Sequence, residues 1–177
     1  MAGLSDVQSG FKTAGVAADP NGISTTAAVA NNAALVINGA LASGGAVALD
    51  AGQLITILSS ADDSAISFTV VGTDVSSAAQ TESITGATAG ATATGASFFK
   101  TISSITAVGD PAGNVTAGVS ASSADVIFAG RARLKGSYIV NSATAGTIKF
   151  RNTSVSGSTL MEIGTVASAT VTRDITI

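Results

Sequence analysis

The sequence is marked first by the residues that it lacks. Its 177 residues include no cysteine, no histidine and no tryptophan, and only two prolines and one tyrosine. Without cysteine there is no disulfide framework and no thiolate metal site, so cysteine usage does not indicate a redox compartment. Without histidine there is no Ser-His-Asp or Cys-His catalytic machinery and no imidazole metal ligand. The sequence therefore predicts a protein that is not an enzyme, and we expect no cofactor.

Charged residues are also scarce, and they are unevenly distributed. They make up 11% of the chain, whereas an average soluble domain is about one quarter charged. Residues 1–130 hold nine acids and two bases, a net charge of −7, and residues 131–177 hold six bases and two acids, a net charge of +4. Because the whole chain is net acidic, at −3, we expect no nucleic-acid partner.

The basic segment contains candidates for contact with a partner. Arg131, Arg133 and Lys135 lie close together in the sequence, and Lys149 and Arg151 follow. These residues are suited to an acidic patch on a neighbouring subunit. The alternative is that they form ordinary solvated strand faces, as most surface charges do.

Long hydrophobic runs are missing as well. The first seven residues have neither the basic region nor the apolar region of a secretory signal. No stretch of about 18 uninterrupted apolar residues occurs, so we expect no membrane partner. Most of the apolar residues are alanine and valine, which make a thin core. We therefore expect the chain to rely on subunit contacts for part of its stability.

The residues that are present form short alternating runs bounded by glycine, asparagine and aspartate. Residues 66–70, 80–85 and 98–108 are the clearest of these runs, and a bend or bulge is expected in the last one at Ser103 and Ser104. Residues 86–95 have too little apolar bulk for a core strand and are expected to form a loop or a sheet edge. The one stretch with helical character is 27–36. Strand signals at this spacing predict an all-β fold, namely an antiparallel β-sandwich or barrel of jelly-roll type.

The domain organisation is predicted as an extended N-terminal arm followed by one β-domain. Residues 1–32 have little periodicity and contain the turn signal Asp-Pro-Asn-Gly at 19–22. They are interpreted as an arm that orders on a partner or, alternatively, as a short flexible tail. Residues 33–177 are interpreted as a single sandwich, because each half alone would bury too small a core. The alternative is two small modules, with a boundary near 121–125.

Aromatic and acidic residues supply further candidates. Phe98 and Phe99 are neighbours in a predicted strand, so one should face the core and the other a second sheet, a partner or solvent. Tyr138 is either an interface anchor or a core tyrosine. Asp62 and Asp63 lie in a serine-rich turn and either satisfy local backbone groups or bind Ca²⁺. The predicted interface set is Phe11, Phe98, Phe99, Arg131, Arg133, Lys135 and Tyr138.

Three of the alternating runs, taken with their flanking residues, resemble parts of a known class of protein. The sequences ISFTVVGTD at 66–74, QTESITG at 80–86 and FFKTISSIT at 98–106 resemble a module in structural proteins of tailed bacteriophages. GRARLKG at 130–136 resembles the second half of similar proteins, and the resemblance covers roughly residues 54–163. It implies an all-β fold, self-association and attachment to the capsid lattice or tail. It brings no catalytic residues.

The resemblance implies a structural protein of the virion. The first hypothesis is a decoration or cement protein on the capsid surface, which would bind the major capsid protein as a homo-oligomer such as a trimer. The second is a tail, fibre or head-fibre component. The third is a surface-exposed β-module that binds glycans or host surfaces, although a glycan binder usually needs exposed aromatic residues.

Overall fold

The computed structural model describes residues 10–174 except 13, 132, 142 and 153, and their side chains as far as residue 172. The first nine residues of the predicted arm lie outside the described residues. All regular structure in the described part is β-strand, and every pairing is antiparallel. The all-β prediction is therefore confirmed. A helix within 27–36 is wrong, since those residues form the end of a strand and a turn.

Eleven strands occur within the described residues. They are β1 (Asp19–Ala28), β2 (Ala42–Ser43), β3 (Ala46–Ser59), β4 (Ser67–Thr73), β5 (Ala79–Thr85), β6 (Thr92–Val108), β7 (Asn114–Ala124), β8 (Gly136–Val140), β9 (Gly146–Arg151), β10 (Thr159–Thr165) and β11 (Thr170–Asp174). The described residues form no helix, and hence no helix long and apolar enough to cross a membrane.

The chain divides into two compact units between Ile127 and Phe128. Unit 1 contains β1 to β7, and unit 2 contains β8 to β11. This division differs from the predicted single domain 33–177 and falls just after the alternative boundary at 121–125. The physical reason is that β7 ends at Ala124 and the described residues between it and β8 form no strand.

Unit 1 is built on a seven-stranded sheet. The strand order is β1-β7-β3-β6-β4-β5, and the short β2 pairs with β3 outside this path. The central strand β3 pairs with β6 on one side and β7 on the other. This position explains the apolar run Leu-Ile-Thr-Ile-Leu at 54–58, because a strand paired on both sides and covered by side chains is buried on both faces. The buried core includes Ile23, Ile55, Ile57, Phe68, Val70, Phe99, Ile102, Ile105, Val115 and Val119.

The 17-residue strand β6 links two parts of this sheet. Its first part pairs with β3, where Phe98 lies opposite Leu54, and its second part pairs with β4, where Ile105 lies opposite Val70. The predicted bulge is confirmed, because the register of β4 and β6 shifts and leaves Ser103 unpaired. The Ser103 hydroxyl donates a hydrogen bond to the carbonyl oxygen of Val71 at 3.1 Å.

One local expectation about this sheet is refined and another is corrected. Residues 92–95, expected in a loop or edge, form the start of β6, where 92–94 pair with β3 and lie outside the ladder with β4. Residues 19–28, expected in the arm, form β1, which pairs with β7 and places Ile23 fully in the core. The turn signal at 19–22 produces a bulge instead of ending the strand, since the register shifts between Asp19 and Ser24. What remains outside the strands at the described N-terminal end is residues 10–12 and 14–18.

Unit 2 consists of two two-stranded ladders nested in sequence. The inner ladder is β9 with β10, and the outer ladder is β8 with β11. Asn141 connects them: its backbone N–H donates to the Ala169 carbonyl at 3.2 Å, and its Nδ2 donates to the carbonyls of Thr144 and Val166 at 2.9 and 2.8 Å. Ile163 is buried in this unit. A two-stranded ladder is marginally stable alone in water, and Ile163 is the one fully buried apolar side chain among the described residues of unit 2.

Candidate functional site

Exposed large apolar side chains are more frequent in unit 2 than in unit 1: among the described residues, unit 2 has five in a span of 50 residues and unit 1 has six in a span of 127. Tyr138, Val140, Leu160 and Val166 are 65% to 72% exposed, and Phe128 is half exposed. We refer to these five residues as the exposed apolar set. Single exposed apolar residues are ordinary, and a group of them indicates a contact surface where its members share a face.

The strand geometry explains why these side chains are left uncovered. Successive side chains of a strand point to opposite faces. In β8, Ile139 is half-buried on one face, so Tyr138 and Val140 share the other, exposed face. Their cross-strand partners are Thr172 and Thr170, which are polar and also exposed. This second face of the outer ladder therefore carries apolar side chains without a covering layer.

The inner ladder shows the same arrangement. Leu160 is exposed, whereas the next residue, Met161, is half-buried. Met161 lies opposite Phe150, and Ile163 lies opposite Ile148. The inner ladder thus buries one apolar face and adds Leu160 to the exposed apolar set.

Three basic side chains stand immediately before β8. Arg131, Arg133 and Lys135 are exposed, and none of them takes part in an ion pair with another described residue. Two of the later bases, Lys149 and Arg151, have local contacts. The Lys149 ammonium lies 3.5 Å from the Glu162 carboxylate, and Arg151 donates to the Gly157 carbonyl at 2.9 Å. Arg131, Arg133 and Lys135 are therefore placed to offer their charge to a partner.

The structure separates the predicted aromatic residues. Tyr138 belongs to the exposed apolar set of unit 2, and Phe11 is 90% exposed in the N-terminal segment of unit 1. Phe98 is half-buried in β6. Phe99 is fully buried in the core of unit 1. Phe99 is therefore corrected from an interface candidate to a core residue, because it has no surface to present.

Asp62 and Asp63 differ in environment although they are adjacent. Asp62 is exposed, and its Oδ1 accepts a hydrogen bond from the Ser64 N–H at 3.0 Å. Hydrogen bonds from the Ser64 side chain and backbone lower the pKa of Asp62 from its ordinary value. Asp63 is fully buried, and its Oδ1 accepts from the Ala112 N–H at 2.7 Å. The Asp63 Oδ2 atom has no hydrogen-bond partner among the described residues.

These contacts support the turn-forming interpretation of the two aspartates. Asp63 ties the loop 60–66 to the loop 109–113, and Asn114 ties them again through its N–H bond to the Ser60 hydroxyl at 2.9 Å. Across the described residues, no group of three or more acidic, histidine or cysteine side chains is placed to hold a metal ion.

A recess in unit 1 is small for a ligand site. A recess of about 260 Å³ lies beside β2, β3 and β6, lined by Val47, Ala48, Thr101, Ile102 and three small residues. Ligand pockets usually measure about 300–1,000 Å³ and carry a few precisely placed polar groups. This recess has no charged residue in its lining. A surface, and not a pocket, is accordingly the best candidate for function.

Sequence reasoning did not nominate Phe128, Val140, Leu160 or Val166. A signal was present, because Tyr138-Ile139-Val140 and Leu160-Met161 are consecutive apolar residues in strands. In a sheet with one covered face such runs are unusual, since alternation is expected.

Comparisons of this chain with protein-family models, with curated proteins and with solved structures find no match.

Proposed function

We propose that this chain is a non-catalytic structural protein that works by packing against other protein subunits. The observation that carries the proposal is the exposed apolar set, which lies on two-stranded ladders with little core of their own. A partner surface laid over this set would bury the apolar side chains and stabilise the ladders. Each fully buried side chain of this size contributes about 1.5–3 kcal/mol.

Within this class we propose a decoration or cement protein of a bacteriophage capsid, with the major capsid protein as partner. The resemblance of 66–106 and 130–136 to structural proteins of tailed phages supports this assignment. The low charge and the surface rich in serine, threonine and alanine are typical of a protein held in a repeating assembly. On a lattice, many weak contacts act together, so that modest single contacts give firm attachment.

The sheet of unit 1 offers a second kind of contact. β1 and β5 stand at the two ends of the strand order. An edge strand presents unpaired backbone groups that can accept another strand. In β5, however, Glu82 and Gln80 turn their side chains back to β6, where they bind Ala96 N–H at 2.6 Å and the Phe98 carbonyl at 3.0 Å. We assign packing against other subunits to the exposed apolar set of unit 2, because its side chains offer apolar area to bury.

The experiment is to locate the chain in virus particles. Particles from the source of the chain are labelled with antibody against it and gold, and viewed by electron microscopy. Gold spread over the heads is the expected result. Gold confined to tails or fibres would favour the tail or fibre hypothesis, and an absence of labelled particles would overturn the proposal.

A pair of variants then tests the surface itself. Tyr138→Ser with Leu160→Ser removes two exposed apolar side chains, and we expect it to reduce the number of copies on each particle. Thr159→Ser, an exposed residue in the same unit, is the matched control and should bind like the parent chain. Equal occupancy of the double variant and the control would contradict the assigned surface.

A further inference from the structure

The charges of the chain are segregated between its two units. Unit 1, residues 1–127, holds nine acids and two bases, for a net charge of −7. Unit 2, residues 128–177, holds six bases and two acids, for a net charge of +4. Opposite net charges of this size attract at separations up to about 10 Å in ordinary buffer. Unit 2 of one copy is therefore complementary in charge to unit 1 of another.

The two bases of unit 1, Lys12 and Lys100, are each engaged by a particular partner. Lys12 forms an ion pair with Asp125 at 3.1 Å, and the Lys100 ammonium donates to the carbonyl of Asp50. Both bases are thus engaged outside the loops that contain Asp62, Asp63 and Asp110.

Those loops form an acidic end of unit 1. We define the acidic loop end as residues 60–66 and 109–113, which are tied together by the hydrogen bond between Asp63 and Ala112. The two loops contain Asp62, Asp63 and Asp110 and no basic residue. Asp62 and Asp110 are exposed. Asp63 is fully buried behind them, with one carboxylate oxygen that no described residue satisfies.

Unit 2 presents the complementary surface. Arg131, Arg133 and Lys135 are exposed and are in no ion pair within the described part of the chain. They directly precede β8, which carries Tyr138 and Val140 of the exposed apolar set. Exposed bases next to exposed apolar side chains combine charge attraction with area to bury. Charge mainly sets the partner and the association rate, whereas apolar burial provides affinity.

We propose that unit 2 of one copy binds the acidic loop end of unit 1 of the next copy. The contact is head-to-tail, so it produces rings if the rotation closes and open chains if it does not. Pairing of unit 2 with unit 2 would bring two +4 surfaces together, and like charges in an interface disfavour it. The inference needs no capsid, so it can fail while the capsid proposal stands, and the reverse also holds.

Self-association of the full chain is measured by analytical ultracentrifugation over a range of concentrations. We expect oligomers larger than a dimer to form. We also expect the apparent Kd to rise by at least about tenfold when salt rises from about 50 to about 500 mM, because surface charges are then screened. A monomer at every concentration and salt level would overturn the inference.

Charge reversal on each side tests the pairing directly. Arg133→Glu with Lys135→Glu, and separately Asp62→Lys with Asp110→Lys, should each weaken self-association by about tenfold or more. Mixing the two variants should restore it, because each then offers the surface that the other needs. Asp50→Lys, an exposed acid outside the acidic loop end, is the matched control, and circular dichroism checks that every variant is folded. Asp110→Lys alone replaces the acidic double variant if the change at Asp62 impairs folding.

One pattern would identify a different interface. If association is insensitive to salt and to the acidic double variant, but is lost in Tyr138→Ser with Leu160→Ser, the copies pair through their apolar faces alone. That result would overturn the head-to-tail proposal.

Discussion

The side-chain amide of Gln53 pairs with the backbone of Val16 in both directions. Gln53 Oε1 accepts a hydrogen bond from the Val16 N–H at 3.1 Å, and Gln53 Nε2 donates to the Val16 carbonyl at 2.9 Å. The same Nε2 donates to the carbonyl of Ser120 in β7 at 2.7 Å. Gln53 is fully buried in β3. Its side-chain amide thus makes the hydrogen bonds that a neighbouring strand's backbone would make, and it joins Val16 to β3 and β7.

The first prediction concerns this connection. Gln53→Leu keeps the side-chain volume but leaves the polar groups of Val16 and Ser120 unsatisfied. Each of the three lost hydrogen bonds contributes about 0.5–1.5 kcal/mol net, so we expect the free energy of unfolding to fall by about 2–4 kcal/mol. Hydrogen exchange at Val16 should also become faster. Urea unfolding and hydrogen-exchange mass spectrometry measure the two effects.

Gln80→Leu is the control for that prediction. Gln80 makes a single side-chain hydrogen bond, from its Nε2 to the Phe98 carbonyl at 3.0 Å, and is half-buried. Its loss should cost about 1 kcal/mol. Equal destabilisation by the two changes would contradict the role given to Gln53.

The second prediction concerns the adjacent phenylalanines. Phe99→Ala removes a fully buried side chain from the core and should lower the free energy of unfolding by about 3–5 kcal/mol. Phe98 is half-buried, so Phe98→Ala should cost clearly less. Chemical denaturation followed by circular dichroism compares them. An equal loss at the two positions would show that Phe98 is also a core residue.

The alternation of apolar and polar residues predicted three strands of unit 1, because each of them has one buried face. The runs at 66–70 and 80–85 correspond to β4 and β5, and the run at 98–108 lies within β6. The bulge at Ser103 was also predictable, since two successive small polar residues interrupt the apolar period there.

The position of β1 could not be predicted in the same way. The signal Asp-Pro-Asn-Gly normally marks a turn, but here these residues form a bulge within a strand. The partner of β1 is β7, where Ala27 lies opposite Val115. A pairing between residues so distant in sequence leaves no local pattern, so it is seen only in the register of the folded strands.

The candidate surface was only partly predictable for a related reason. The close spacing of Arg131, Arg133 and Lys135 is visible in the sequence, because charged residues are identified there directly. Exposure of Tyr138 is not, because alternation indicates that a strand has two faces but not which face is covered. The exposure of Tyr138 and Val140 is therefore seen only once β8 is paired with β11.

The third prediction concerns the buried carboxylate of Asp63. Asp63→Ala removes the acceptor for the Ala112 N–H and should lower the free energy of unfolding by about 1–3 kcal/mol. Asp63→Asn keeps an acceptor oxygen and is expected to cost less. Urea unfolding of the two variants measures the difference. Greater destabilisation by asparagine than by alanine would contradict the hydrogen-bonding role.

The fourth prediction concerns acid conditions. The pKa of Asp62 is lowered in the folded chain by the hydrogen bonds from Ser64, so its ionised form stabilises the fold. That contribution is present above the ordinary pKa of 3.8 and is lost as the pH falls through the lower folded value. The chain should therefore be more stable than Asp62→Ala at neutral pH, and the difference should shrink in strong acid. Thermal unfolding of both proteins across this range provides the test, and a difference independent of pH would contradict it.

The central claim is that the exposed apolar set of unit 2 packs against other subunits. The most direct measurement is hydrogen exchange of the chain in purified particles compared with the free chain. The account predicts slower exchange in 136–140 and 159–166 within the particles. Unchanged exchange in both segments, with protection confined to unit 1, would contradict it.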